Sequence, residues 1–209
     1  MRKLFIIGVA LTAIAFTACN DDNTTQKKND MSSMASDSTK QATTNNDKDV
    51  KEITPSFATL DPKASGSIKA IIGHYLHVKN ALVGDNADEA ASGAKAMTDA
   101  LTKIDKSLFT PEQKKAYDET EDDLREYAEH IGKSKLDHQR EHFVMMSEDV
   151  HSLVKAFGGG QELYYDHCPM ANNGKGAMWI SEMKEIKNPY LGAKMPTCGT
   201  VEERINSHN

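Results

Sequence analysis

The chain has 209 residues, a formal net charge of −6 and an apolar fraction of 38%. Nucleic acid binding needs a basic surface to neutralise phosphates, so this acidic balance argues against it. No nucleophile–base pattern, glycine-rich phosphate loop or HExxH motif occurs, so the chain reads as a non-enzyme.

Residues 1–18 have the layout of a lipoprotein signal peptide. Arg2 and Lys3 precede an apolar stretch from Leu4 to Phe16, and Thr17-Ala18 place small residues ahead of Cys19. The apolar run is shorter than the roughly 20 residues of a spanning helix. Phe16, three residues before the cleavage point, is too bulky for a simple secretory site but is tolerated in a lipoprotein one. The expectation is a lipid on Cys19, membrane attachment through that anchor, and a place in the bacterial cell envelope outside the cytoplasm, at the outer membrane. The acidic pair Asp21-Asp22 resembles signals that send some lipoproteins to the cell surface. Losing Arg2 and Lys3 with the leader takes the mature charge to −8.

Residues 19–60 read as lipidated Cys19 followed by a disordered tether. Up to about Glu52 the segment is Asp, Asn, Ser, Thr, Lys and Gln, with too little apolar surface to offset its chain entropy.

Residues 61–160 read as four helices. Ile68, Ile71, Ile72, Tyr75 and Leu82 share one helical face, with Ser67 as a plausible N-cap. Gly84-Asp85-Asn86 marks a stop and restart. The second helix, from Ala87 to Ile104, carries Ala90, Ala94, Met97 and Leu101. Thr110-Pro111-Glu112-Gln113 is a strong start signal, a cap followed by proline and a capping-box glutamine. Ala116, Tyr117, Leu124, Tyr127 and Ile131 then form the third stripe. Asp137 can cap a fourth helix with the stripe Phe143, Met146, Val150, Leu153, Val154 and Phe157, ending at Gly158-Gly159-Gly160. The fold class is therefore mainly α: an antiparallel up-down four-helix bundle with a small C-terminal module rich in turns and strands.

That module spans residues 161–209. Leu163-Tyr164-Tyr165 reads as a strand, and Pro169, Asn172-Asn173-Gly174 and Asn188-Pro189 as turns. It is too small to own a core, so it must lean on the bundle or be stapled.

The chemistry concentrates in two segments of this module, Cys168-Pro169-Met170 and Met195-Pro196-Thr197-Cys198. In an oxidising compartment, a Cys168–Cys198 disulfide is the default, worth about 3–4 kcal/mol in the chain-entropy model. The competing reading takes thiolates from Cys168 and Cys198 and thioethers from Met170 and Met195. Such a soft set suits Cu(I), with zinc less well served for want of His or a third Cys. His142 lies near the edge of the fourth-helix stripe and offers a further ligand. His138, one turn earlier, points toward solvent, and His74, His77, His130 and His151 have no supporting context. His167, beside Cys168, is a doubtful co-ligand because strand neighbours face opposite ways.

The run Cys168-Pro169-Met170-Ala171, Gly176 to Ser181, Ile186 to Gly192, Met195 and Cys198-Gly199 resembles the domain of unknown function 3347 family. Arg140-Glu141-His142-Phe143 with Ser147 resembles that family's last helix, and the similarity runs from about Ser67 to Ile205. Leu191 stands where an aromatic is usual and Pro196 where a bulky aliphatic is usual. The resemblance implies an exported bacterial protein, often a lipoprotein, and a domain also found fused to periplasmic adaptor subunits of heavy-metal efflux systems. It implies no catalytic residues and no proven ligands. That association places the metal reading ahead of the disulfide, with Trp179 and Tyr190 shielding the site and an efflux adaptor as partner. The alternative is an envelope interaction domain stapled by the disulfide and holding no metal. The two states exclude each other at any instant, since a bridged pair has no thiolate to give.

Overall fold

The computed structural model describes residues 50–207. The signal peptide, Cys19 and the tether up to residue 49 lie outside the described residues.

The chain is mainly helical, with a small sheet built largely from its C-terminal part. Four long helices follow one another: α1 (Pro62–Val83), α2 (Ala87–Thr102), α3 (Pro111–Lys133) and α4 (Leu136–Phe157). Each packs against the next, and α1 also packs against α4. None is long and apolar enough to cross a membrane.

Their boundaries follow from capping chemistry. Asp61, not Ser67, caps α1: its carboxylate accepts from the N–H groups of Lys63 and Ala64, and Pro62 supplies a preset φ at the first helical position. Ser67 lies inside the helix and donates back to Lys63 O. Both halves of the capping box form at α3, Gln113 N–H to Thr110 Oγ1 and Thr110 N–H to Gln113 Oε1. At α4, Asp137 sits in the first turn, where a carboxylate suits the helix dipole, and Lys135 occupies the cap position without a side-chain cap bond. Gly158 ends α4 at φ 73°, a left-handed conformation that favours glycine.

After α4 come β2 (Leu163–Cys168), a short turn of helix α5 (Ala171–Gly174), β3 (Ala177–Ser181) and β4 (Thr200–Ile205). With β1 (Lys51–Ile53) they form a sheet in the order β1-β4-β2-β3. β2 pairs antiparallel with β3 and β4, while β1 lies parallel to β4 in the register Lys51↔Glu203 and Ile53↔Ile205.

β1 corrects the expectation of a tether running to residue 60. Lys51 pairs with Glu203, Glu52 with Arg204, and Asn206 N–H donates to Ile53 O. Ser56 and Phe57 N–H groups donate to Lys155 O and Ala156 O at the end of α4, and the Phe57 ring packs on Phe157 at 5.2 Å. Backbone pairing and three apolar side chains, Ile53, Phe57 and Leu60, hold a segment whose composition alone looked uncommitted.

The sheet leans on the helices, as a module without its own core must. Leu163, Trp179, Ile180 and Ile205 are fully buried and continuous with the helical core, with β3 against α4 and α1. A buried hydroxyl network fixes this contact. Tyr75 of α1 lies 2.8 Å from Ser147 of α4 and accepts from Ile180 N–H of β3. Tyr190 reaches the same serine and donates to Met178 O.

A chain beginning at residue 61 should be less stable than one beginning at residue 50 by about 2–3 kcal/mol, the scale of three partly buried apolar side chains. Denaturant melts of the two check this, and coincident curves would show that the strand contributes nothing.

Candidate metal centre

Cys168 ends β2 and is fully buried, while Cys198 lies in the half-buried segment before β4. The two are joined as a disulfide with Cα atoms 5.7 Å apart, across 30 residues of sequence. In this state neither sulfur is a thiolate. The described chain is therefore the stapled form of the two weighed in the sequence.

Local sequence explains how the two turns meet. Asn172 and Asn173 take left-handed conformations, φ 51° and 57°, and turn the chain between Cys168-Pro169-Met170 and β3. Asn188, fully buried, organises the second turn. Its Nδ2 donates to Cys198 O at 2.7 Å, and its Oδ1 accepts from Tyr190 and Leu191 N–H. Its own N–H donates to Pro196 O, and Cys198 N–H closes back on Met195 O. Gly199, at φ 149°, leaves no room for a side chain: a Cβ there would stand 2.9 Å from Trp179 and 3.0 Å from His167 O. Trp179 and Tyr190 are both buried and meet edge to face at 5.9 Å.

The two methionines behave differently from core residues. Met170 is 57% exposed and Met195 43%, so neither is held as packing beside the bridge.

His142 keeps company with two other histidines. It faces His138 of its own helix and His130 of α3. His138 is exposed, as expected, yet belongs to this group, as does His130, which has no supporting context in the sequence. A legible signal existed. His130 lies four residues before Ser134 and His138 three after Lys135, so a tight helix–helix connection brings them to the same end.

Beside the bridge, β2 buries a carboxyl group. Asp166 is fully buried opposite Trp179 in the sheet, and neither carboxylate oxygen has a hydrogen-bond partner among the described residues. Burial pushes its pKa up to about 8, opposed by the Lys79 ammonium. Lys79 is itself buried and engages Glu182 at 2.8 Å.

The family model described as protein of unknown function (DUF3347) matches residues 71–162. Over those residues the chain is similar to that family. The match covers most of α1, all of α2 to α4 and the three histidines, and stops one residue before β2. The sulfur-bearing turns therefore lie beyond it, although the resemblance read from sequence rested largely on them. No curated protein and no solved structure matches the chain.

The buried carboxyl gives a pH prediction. A folded-state pKa raised above the unfolded value favours folding below the unfolded pKa, and that stability is lost as pH rises from about 4 to about 8. Asp166→Asn should remove this part of the pH dependence and raise Tm most at pH 8. Parallel Tm–pH curves for variant and wild type would show that Asp166 does not titrate in that window.

Proposed function

We propose that this chain is a non-enzymatic cell-envelope lipoprotein, anchored through Cys19, that binds a soft metal ion and buffers it or passes it to an efflux adaptor. The ion is Cu(I), held by thiolates of Cys168 and Cys198 and thioethers of Met170 and Met195. The helices in this reading form an antiparallel up-down bundle, a rigid support for the turns.

One observation carries the proposal. Two cysteines on separate proline-bearing turns are brought within bonding reach, and each turn leaves a methionine exposed where an apolar side chain gains nothing from packing. Soft donors without a packing role suit a soft ion. Opening the bridge takes two electrons and two protons from a dithiol reductant and leaves two thiols, which release their protons as Cu(I) binds. His142 is not assigned to this ligand set, because its neighbours are the other two histidines.

The bridge itself favours the second reading, a stapled interaction domain with no metal. A loop of this length gains about 3–4 kcal/mol from closure. Anaerobic competition against a Cu(I) chelator separates the two. The reduced wild type should bind one Cu(I), Cys198→Ser should lose most of the affinity, and Met170→Leu should lose less because a neutral donor holds the cation more weakly. Near-zero stoichiometry in fully reduced protein, with a native fold, rejects the Cu(I) site and leaves the staple.

The anchor is tested separately. Cys19→Ser should leave an unprocessed or freely soluble product, and a variant of unchanged size still pelleting with membranes would refute lipidation at Cys19.

A further inference from the structure

The imidazoles of His130, His138 and His142 converge at the end of the helices nearest the α3–α4 connection. His142 Nε2 lies 3.0 Å from His138 Nε2, one turn earlier on α4. The His130 ring lies nearly parallel to that of His142, with centroids 4.3 Å apart and planes 13° from parallel. One ring nitrogen from each of the three falls within 4.8 Å of the other two. From this convergence we infer a second metal site, for a divalent ion of borderline softness such as Zn(II), separate from the sulfur pair and independent of its redox state.

Three nitrogens bound to zinc at about 2.0–2.1 Å in tetrahedral geometry stand about 3.3 Å from one another. The His138–His142 pair is already at that scale. His130 and His138 are exposed side chains, so closing the remaining gap takes rotamer adjustment at the surface and no repacking of the core. The i, i+4 spacing of His138 and His142 presents two donors from one helical face, and the packed neighbour supplies the third. A fourth position stays open to water, the arrangement of sites that exchange their ion or act on a ligand.

Second contacts fit the same purpose. Glu141 lies 2.6 Å from His138 Nδ1, so a proton there is held by the carboxylate and Nε2 is left as a lone pair toward the cluster. Glu126 stands 3.9 Å from His130. Asp123, Glu126, Glu148 and Asp149 surround Tyr127, whose ring is 6.3 Å from His142. The face around the cluster is thus negative and attracts a cation.

The test uses the full chain without a histidine tag, the disulfide intact and any remaining thiol alkylated, so that sulfur cannot contribute. Zn(II) is titrated in competition with a chromophoric chelator. One Zn(II) per chain is expected, with affinity lowered at least about 100-fold by His130→Ala or His142→Ala and about tenfold by Glu141→Gln. His74→Ala, on α1, and Met170→Leu should match the wild type. His130 is exposed, so its variant keeps the fold and carries the decision. Undiminished binding in His130→Ala reduces the cluster to an ordinary helical pair and overturns the proposal, as does the absence of stoichiometric binding in the wild type. Failure of the Cu(I) experiment on reduced protein leaves this result untouched, because the two use different donors in different oxidation states.

Discussion

Ser147 Oγ is where helices and sheet are bound to one another. The serine donates to Phe143 O of its own helix, so its oxygen is left to accept from the Tyr75 phenol, and the Tyr190 hydroxyl oxygen lies 3.3 Å away. Tyr75 in turn takes the N–H of Ile180, and Tyr190 gives its proton to Met178 O. Every polar atom of this buried group has a partner, and the group ties together α1, α4, β3 and the segment that carries Tyr190. A satisfied network in a low-dielectric interior is rigid, while the same groups half satisfied would cost about 1–3 kcal/mol each. The burial that raises the pKa of both tyrosines far above the ordinary phenol range keeps the two hydroxyls protonated, and so able to donate, across any physiological pH. The turn bearing Met195 and Cys198 hangs from this point through Asn188 and Tyr190, so the position of the cysteines depends on a serine in a helix.

A second consequence concerns the two candidate metal sites. One lies in turns pinned to the sheet, where a covalent bridge and a buried asparagine set the geometry. The other lies on helix surfaces, where the backbone is rigid and the side chains are not. The first changes its donors with oxidation state. The second keeps the same nitrogens throughout. A protein with both would meet a soft ion under reducing conditions and a borderline ion under oxidising ones.

The helical part was legible because its signals are local. Ile68, Ile71, Ile72, Tyr75 and Leu82 are buried as their spacing requires, as are Ala90, Ala94, Met97, Leu101 and the stripe from Phe143 to Phe157. The start of α3 was legible for the same reason, since a capping box involves only four residues. What was hidden is tertiary. Lys51-Glu52-Ile53 has no apolar alternation, and its strand exists because β4 offers an unpaired edge and ion partners. His130 reads as a surface residue of an acidic helix until its neighbour is folded beside it. Ser67 looked like a cap because the true one, Asp61, stands one residue before a proline and some way ahead of the first apolar position. The Cys168–Cys198 pairing was visible in the spacing, whereas Asn188, on which the second turn is built, read only as a turn former.

The parallel pairing of β1 with β4 bears on how this fold can be carried by larger chains. Lys51 lies beside Glu203 and Ile53 beside Ile205, so the polypeptide enters and leaves the folded part on adjacent strands. At about 3.3 Å per residue and about 4.8 Å between strands, entry and exit are within roughly 10 Å of each other. A fold whose ends meet in this way can be spliced into a surface loop of another protein without stretching the host, or can hang from a tether at one corner with its opposite face free. The helical end with its three histidines belongs to a single covalent excursion between those two strands, and whatever is attached at the strands need not pass near it.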